Sequence, residues 1–264
     1  MTHSNRRLVT QNQLIDDLKH IGLGDGDSVM VHSSLSKIGY VIGGAQTVIK
    51  ALLGVVGKSG TLIMPAFSQN ISDPANWDGQ NFTDNEIQIL RENLPVFDKE
   101  LTPTGMGAIP EAFRAWPGVI RSDHPQVSVC AIGPDANFIT DTHPLEFGEG
   151  AHSPFARLYE MDTKILLLGV WSNRATALHY AESLVPHGRR KERCFPIEED
   201  GVRKWVQVPD IGDDLNTHFP PIGDIYFARE GDAKVANIGD AKSCLVSTKG
   251  LVDFGRDYLS KALA

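Results

Sequence analysis

Three consecutive stretches constrain the fold most. SVMVHSS (28–34) and TLIMPAFS (61–68) are short apolar runs rich in strand-forming residues, and GGAQTVIKALLGVVG (43–57) lies between them. The middle stretch is long enough for a buried helix ended by Gly57. Strand, helix, strand in that order implies a parallel strand pair with the helix packed across one face. The same grammar continues on both sides. QNQLIDDLKHIGLGDG (11–26) places Leu14, Ile15, Leu18 and Ile21 at helical spacing before Gly22 and Gly24. Further strands are expected at 128–133 and 164–170, with helices after the glycine turn at 102–107 and at 176–184. CFPIEEDGVRKWVQVP (194–209) is expected to be a hairpin turning at Asp200–Gly201. A last amphipathic helix follows within 247–264, with Leu251, Phe254, Tyr258 and Leu259 inward.

Residues Gln69 to about Thr102 interrupt this pattern as a polar, irregular insertion, longer than an ordinary connection. Its Trp77, Phe82, Leu94 and Phe97 need a surface to pack on, which favours an ordered binding loop over disorder. The expectation is one α/β domain over 1–264: a central, largely parallel or mixed sheet flanked by helices in three layers. The loop insertion and a C-terminal β-rich portion complete it.

Composition narrows the function classes. Hydrophobic residues at 41% and charged residues at 22% exclude disorder and fibrous repeats. Lys+Arg 25 against Asp+Glu 33 gives a net charge of −8, so the global basic footprint of a nucleic-acid binder is absent. An acidic surface suits a cationic small molecule, and equally keeps a protein dispersed. Cys130, Cys194 and Cys244 form no C-x-x-C pair, which gives no support to a zinc knuckle or a redox motif and favours a reducing compartment. The first twenty residues contain no apolar leader core, and IKALLGVVG and ILLLGVW are too short to span a bilayer. A cytoplasmic protein with neither nucleic-acid nor membrane partners is expected, either monomer or homodimer.

Four clusters can carry chemistry. His32-Ser33-Ser34-Leu35 ends a strand, where open α/β sheets bind ligands, though such a run also caps turns. Thr104-Gly105-Met106-Gly107 opens a helix and allows close backbone approach to a phosphate-bearing cofactor, or simply starts a helix. It is neither a Walker A loop nor a dinucleotide fingerprint, since Pro110 stands at the third-glycine position. Arg121-Ser122 is either an anion clamp or a solvated turn. His179 and Glu182, three apart on a helix, suit a general base with an orienting carboxylate, a zinc half-site lacking further ligands, or a structural histidine. No G-x-S-x-G elbow occurs, which disfavours a covalent serine mechanism.

These blocks also occur in a telling order. MVHSSLSKIGYVIGGAQTVIKALL (30–53) precedes PVFDKELTPTGMGAIPEAFRAWPGVIRSDHPQVSVCAIG (95–133), then SPFARLYEMDTKILLLGV (153–170), TALHYAE (176–182) and FPPIGDIYFAREGDAKVANIGDAKSCLV (219–246). The chain from about Asn12 to the last helix resembles the aminoglycoside 3-N-acetyltransferase family. The resemblance implies an α/β fold distinct from the histone-acetyltransferase-like superfamily, and acetyl transfer from acetyl-CoA to an amine, typically the 3-amino group of deoxystreptamine. No metal is implied. His179 carries over as general base, with Glu182 as the candidate orienting carboxylate. The coenzyme-A blocks carry over to His32, Ser33, Ser34 and Leu35, to Thr104, Gly105, Met106 and Gly107, and to Arg121, Ser122 and Ser128. Asp73 in DPANW and Glu111 in MGAIPE match acidic positions on the acceptor side. Three features depart from the pattern: the longer link GEGAHSP (148–154), Trp171 and Arg174. An Arg174 facing the acceptor would repel a polycation. Two other classes stay open: a same-fold enzyme for another small amine, and a non-catalytic coenzyme-A-binding module in which His179 is structural.

Overall fold

In the computed structural model the described residues are 7–77, 79–212, 216–229 and 231–264. Part of the N-terminal leader question (residues 1–6), and Glu230 within the last family-like block, lie outside them. The chain begins with β1 (Leu8–Val9) and α1 (Gln11–His20), then β2 (Ser28–Ser33), β3 (Tyr40–Val41), α2 (Gly44–Val56) and β4 (Thr61–Pro65). Next come α3 (Asp84–Asn93), α4 (Ala108–Arg114), β5 (Ile120–Arg121), β6 (Val129–Ile132), α5 (Ala136–Thr140) and α6 (Pro154–Glu160). The second half adds β7 (Lys164–Leu168), α7 (Ala177–Ser183), β8 (Arg190–Glu199), β9 (Val202–Ile211), α8 (Phe219–Phe227), β10 (Ala233–Ile238), β11 (Ala241–Ser247) and α9 (Thr248–Ala262).

Seven strands form one sheet in the order β10-β11-β7-β2-β4-β6-β5. Its middle is parallel, with β2 flanked by β4 and β7. Both sides are antiparallel, so the sheet is mixed. Because side chains alternate along a strand, each central strand feeds two cores. Ile165 and Leu167 of β7 join Met30 and Ile63 beneath α5 to α9, while Leu166 and Leu168 join Val29, Val31 and Leu62 beneath α1, α2 and α4. That gives helices on both faces of the sheet, the expected three layers. Cys130 and Cys244 are buried in the sheet as free thiols, and burial pushes each up to about 12.

The insertion is less irregular than its composition suggested. It contains the helix α3, started by a capping box in which Thr83 accepts from the Glu86 N–H and Glu86 accepts from the Thr83 N–H. No side chain of α3 is buried, so it lacks the apolar stripe that marks a helix in a sequence. The insertion docks on the β8–β9 hairpin. Arg203 donates to the carbonyls of Arg91, Glu92 and Leu94, and Phe97 packs with Ile71, Phe195 and Val208. The hairpin turns at Asp200–Gly201 as expected, but each strand is longer than the sequence run indicated.

Candidate active site

The three parallel strands end on the same side, and a cleft of about 1220 Å³ opens there. His32 and Ser33 close β2, Pro65 ends β4, Phe67 follows it, and Val170 follows β7; all line the cleft. Ligands in open α/β sheets bind at this position, outside the carboxyl ends of the strands. Two helices start at its wall. Gly43 caps α2 and Gly107 caps α4, neither start has a side-chain cap, and both glycines line the cleft. The first-turn N–H groups of these helices lack intrahelical acceptors and carry the positive end of the helix dipole.

His179 lies on α7, 4% exposed, with its ring edge-on to Phe219 at 4.9 Å. Its Nδ1 is buried with no hydrogen-bond partner. The buried carboxylate that shares the cleft lining with it, and feels its charge, belongs to Glu149, from the loop before α6. Glu149 is 1% exposed and lines the same cleft, and its Oε1 is also without a partner. Burial holds the Glu149 carboxyl above its ordinary value, and the His179 and Arg193 charges pull it back. Arg193, on β8, grips Glu149 Oε2 at 3.0 Å, binds Asp210 on β9 and donates to Gln126 at 3.1 Å. The hairpin therefore braces the wall that carries Glu149.

Glu182 faces elsewhere. It is fully buried, and Arg189 reaches it through Nε at 2.7 Å, Nη2 at 2.8 Å and the backbone N–H at 2.8 Å. Helical spacing puts residues 179 and 182 near one face, but this guanidinium seven residues on sets where the carboxylate points. The carboxylate that lines the cleft together with His179 is thus Glu149, not Glu182.

The coenzyme-A candidates divide. His32, Ser33, Ser34, Leu35, Gly105, Met106 and Gly107 line the cleft. His32 Nε2 and Ser33 Oγ are buried without partners, and burial pushes His32 down to about 3. Thr104 lies just behind the lining, holding the turn through its Oγ1, which donates to the Phe67 carbonyl at 3.0 Å. Arg121 and Ser128 lie inside the protein. The Arg121 guanidinium donates to Ser128, Ser68 and the carbonyls of Lys99, Thr102 and Ala66, which engages all five of its N–H groups. It also stacks over Phe97 at 4.7 Å. It pins the end of the insertion to β4 and has no donor left for a ligand. Ser122 Oγ is buried against His143.

The acceptor-side candidates are also paired away from the cleft lining. Asp73 receives two hydrogen bonds from Arg91, at 2.9 and 2.7 Å, and accepts from the Ala75 N–H. Glu111 is bound by Arg114 and by the Thr104 N–H, and the Arg114 hydrogen bond leads the causes that hold it below the ordinary carboxylate range. Arg174 does line the cleft, as an exposed side chain, whereas the indole of Trp171 donates to Asp224 at 2.9 Å. Glu149, Thr176, Arg193, Gly43 and Gly44 were not singled out by the sequence. Only the GEG before the unusual AHSP link marked the neighbourhood of Glu149. Among the described residues no group of three or more metal-ligating side chains gathers, and no helix is long and apolar enough to cross a membrane.

Comparisons with known proteins place the whole chain in one family. Residues 30–260 match the family model described as aminoglycoside 3-N-acetyltransferase. The SPbeta prophage-derived aminoglycoside N(3')-acetyltransferase-like protein YokD of Bacillus subtilis (strain 168) is 39% identical, over 94% of this chain and 92% of that protein. Its crystal structure superimposes with a TM-score of 0.92, over 97% of this chain and 94% of that one. Aminoglycoside N(3)-acetyltransferase VII of Streptomyces paromomycinus is 36% identical, over 97% of this chain and 93% of that protein. A structure described as AAC-IIIb binary with CoASH matches at a TM-score of 0.84 and 31% identity, over 98% of each chain. The chain belongs to the aminoglycoside 3-N-acetyltransferase family of acyltransferases.

Proposed function

We propose that this chain transfers the acetyl group of acetyl-CoA directly to an amine, the 3-amino group of the deoxystreptamine ring of an aminoglycoside, with His179 as general base. One observation carries this reading. Of the eight buried side-chain atoms without a partner among the described residues, five belong to residues lining one cleft: His32, Ser33, Glu149, Thr176 and His179. Buried polar atoms are rarely left unpaired, so a cluster of them facing one space is arranged for a polar ligand. The AAC-IIIb complex with CoASH, and the shared fold, support coenzyme A as that ligand.

A protonated amine has no lone pair with which to attack a thioester, so the amine reacts as the neutral free base, its first proton lost to water. His179 takes a proton from the amine as its nitrogen bonds to the acetyl carbon and the carbon–sulfur bond breaks. Glu149 beside it stabilises the imidazolium that forms. The imidazolium then returns the proton to the departing thiolate. The Ser34 N–H is already engaged by the Leu168 carbonyl at 2.9 Å. The N–H groups of Leu35 and Ser36, at the open start of the short turn Leu35–Lys37, are the donors for the developing oxyanion.

A second reading concerns the acceptor. Glu149 is the one carboxylate among the described cleft-lining residues, and it shares the lining with Arg174 and Arg193. Asp73 and Glu111 are bound by arginines. This charge balance favours an amine with fewer positive charges than a polycationic aminoglycoside. Thiol release from acetyl-CoA with a panel of aminoglycosides and simpler amines tests both. Turnover with aminoglycosides supports the first reading, and turnover confined to amines of low charge supports the second. No release with any acceptor, together with no rise in melting temperature on adding acetyl-CoA, overturns both.

A further inference from the structure

Glu149 is presented by a loop, residues 141–153, and loops hold side chains less firmly than strands or helices do. Arg193 holds the Glu149 carboxylate, and a pair of buried imidazoles fixes its backbone. His143 Nε2 meets the Gly148 carbonyl at 2.7 Å, and a carbonyl only accepts, so Nε2 carries the proton. Its Nδ1 is then a lone pair, and the Ser122 hydroxyl donates to it at 2.8 Å. The Ser122 oxygen in turn accepts from the Val129 N–H of β6 at 2.8 Å. A chain of hydrogen bonds thus runs from the sheet, through one tautomer of a neutral imidazole, to the peptide bond that joins Gly148 to Glu149.

His124 locks the same loop from the side. Its Nδ1 accepts from the N–H groups of Gln126 and Val127, at 3.0 and 3.1 Å, and its Nε2 points to the Leu145 carbonyl at 3.3 Å. Its ring packs against His143 at 4.6 Å, tilted by 42°, and meets Phe195 of β8 edge-on. Gly148 lies so close beneath that a Cβ there would stand 2.6 Å from His124 Nε2 and 2.6 Å from Val127. Its neighbour Phe147 is held at φ 48, a conformation rare for a residue with a side chain. Burial keeps both imidazoles uncharged, with His143 well below its ordinary value and His124 pushed down to about 3.

We propose that Ser122, His143 and His124 are positioning residues for the transfer: they form a relay of fixed tautomers that sets Glu149 against His179. Ser122 then serves the reaction through this relay and not by touching coenzyme A. The proposal rests on Glu149 and His179 being the reacting pair.

The test compares His143→Leu with His143→Gln, whose amide supplies one acceptor for Ser122 and one donor for Gly148. A displacement of catalytic groups on the ångström scale lowers turnover on the order of 10²-fold. The expected result is a fall of that size in kcat for His143→Leu, an unchanged KM for acetyl-CoA, and recovery of most of kcat in His143→Gln. Gly148→Ala, which removes no hydrogen-bonding group, should lower kcat in the same way. Where His143→Leu does not fold, Ser122→Ala and Gly148→Ala take its place against His143→Gln. Wild-type kcat in folded His143→Leu, or a glutamine variant no better than the leucine one, overturns the relay. Glu149→Gln is measured alongside. If its kcat falls while the relay variants keep theirs, only the relay is lost. If it keeps wild-type kcat, the reacting pair is wrong and the relay falls with it.

Discussion

Arg189 grips Glu182 with two side-chain N–H groups and its own backbone N–H, so the pair clamps the chain where α7 turns toward β8. Glu182→Leu removes the buried carboxylate that takes three hydrogen bonds from Arg189. Arg189 is 24% exposed and keeps some water, which moderates the loss to about 2–3 kcal/mol. Thermal denaturation should show that loss, while kcat per folded molecule stays near wild type; a selective fall in kcat would return Glu182 to the proton-transfer machinery. Arg121 gives a parallel case. Lysine offers three donors where the guanidinium uses five, so Arg121→Lys should strand buried carbonyls and lower stability by about 2–5 kcal/mol, with the acetyl-CoA KM unchanged. A KM increase without a stability loss would place Arg121 on the cofactor instead. Both residues show why residue roles were only half legible in the sequence. His179 was singled out by the resemblance of TALHYAE to a family block, because its spacing to Glu182 alone left a base, a zinc half-site and a structural histidine open. Glu149 was not, since it and His179 lie thirty positions apart in sequence and meet only in the folded cleft.

At the scale of elements, strands and helices with an apolar face were readable, and those without one were not. β2, α2 and β4 come close to the expected boundaries because their burial is written in continuous apolar runs. α3 was missed because it is stabilised by its capping box and by docking, not by a buried stripe. The ends of β8 and β9 were missed because Arg190–Arg193 and Asp210 read as polar loop, whereas Arg193 pairs with Asp210 across the hairpin and with Glu149. The turn itself was clear from Asp200–Gly201, which take φ values of 52 and 75. Gly201→Ala should therefore cost about 1 kcal/mol, read as a lower melting temperature. Since the hairpin holds Glu149 from its far end, Arg193→Ala should do more and lower kcat along with stability. Full activity in that variant would separate the hairpin from the site.

The molecule as a whole keeps three uncharged imidazoles inside: His32, His124 and His143. Each has a folded-state pKa below the ordinary 6.5, so between those values the unfolded chain binds more protons than the folded one. Their contribution to stability is complete above pH 6.5 and drains away as the pH falls toward about 3. Glu149, held above its ordinary value, opposes this with a gain on acidification. A melting temperature that already declines between pH 6.5 and 5, above the range where surface carboxylates titrate, is the expected signature, and His124→Asn should flatten it. A flat profile in wild type over that range would mean the imidazoles are not held neutral.

In the proposed reaction the buried pair His179 and Glu149, at the carboxyl ends of the parallel strands, moves the proton in acetyl transfer. Thiol release from acetyl-CoA in the double-mutant cycle of His179→Ala and Glu149→Gln tests it most directly. His179→Ala should lower kcat by about 10²–10⁴, and adding Glu149→Gln should lower it little further, because groups that act as a unit are not additive. Acetyl-CoA should still raise the melting temperature of every variant. Near-wild-type turnover in His179→Ala would contradict the account, as would fully additive losses in the double variant.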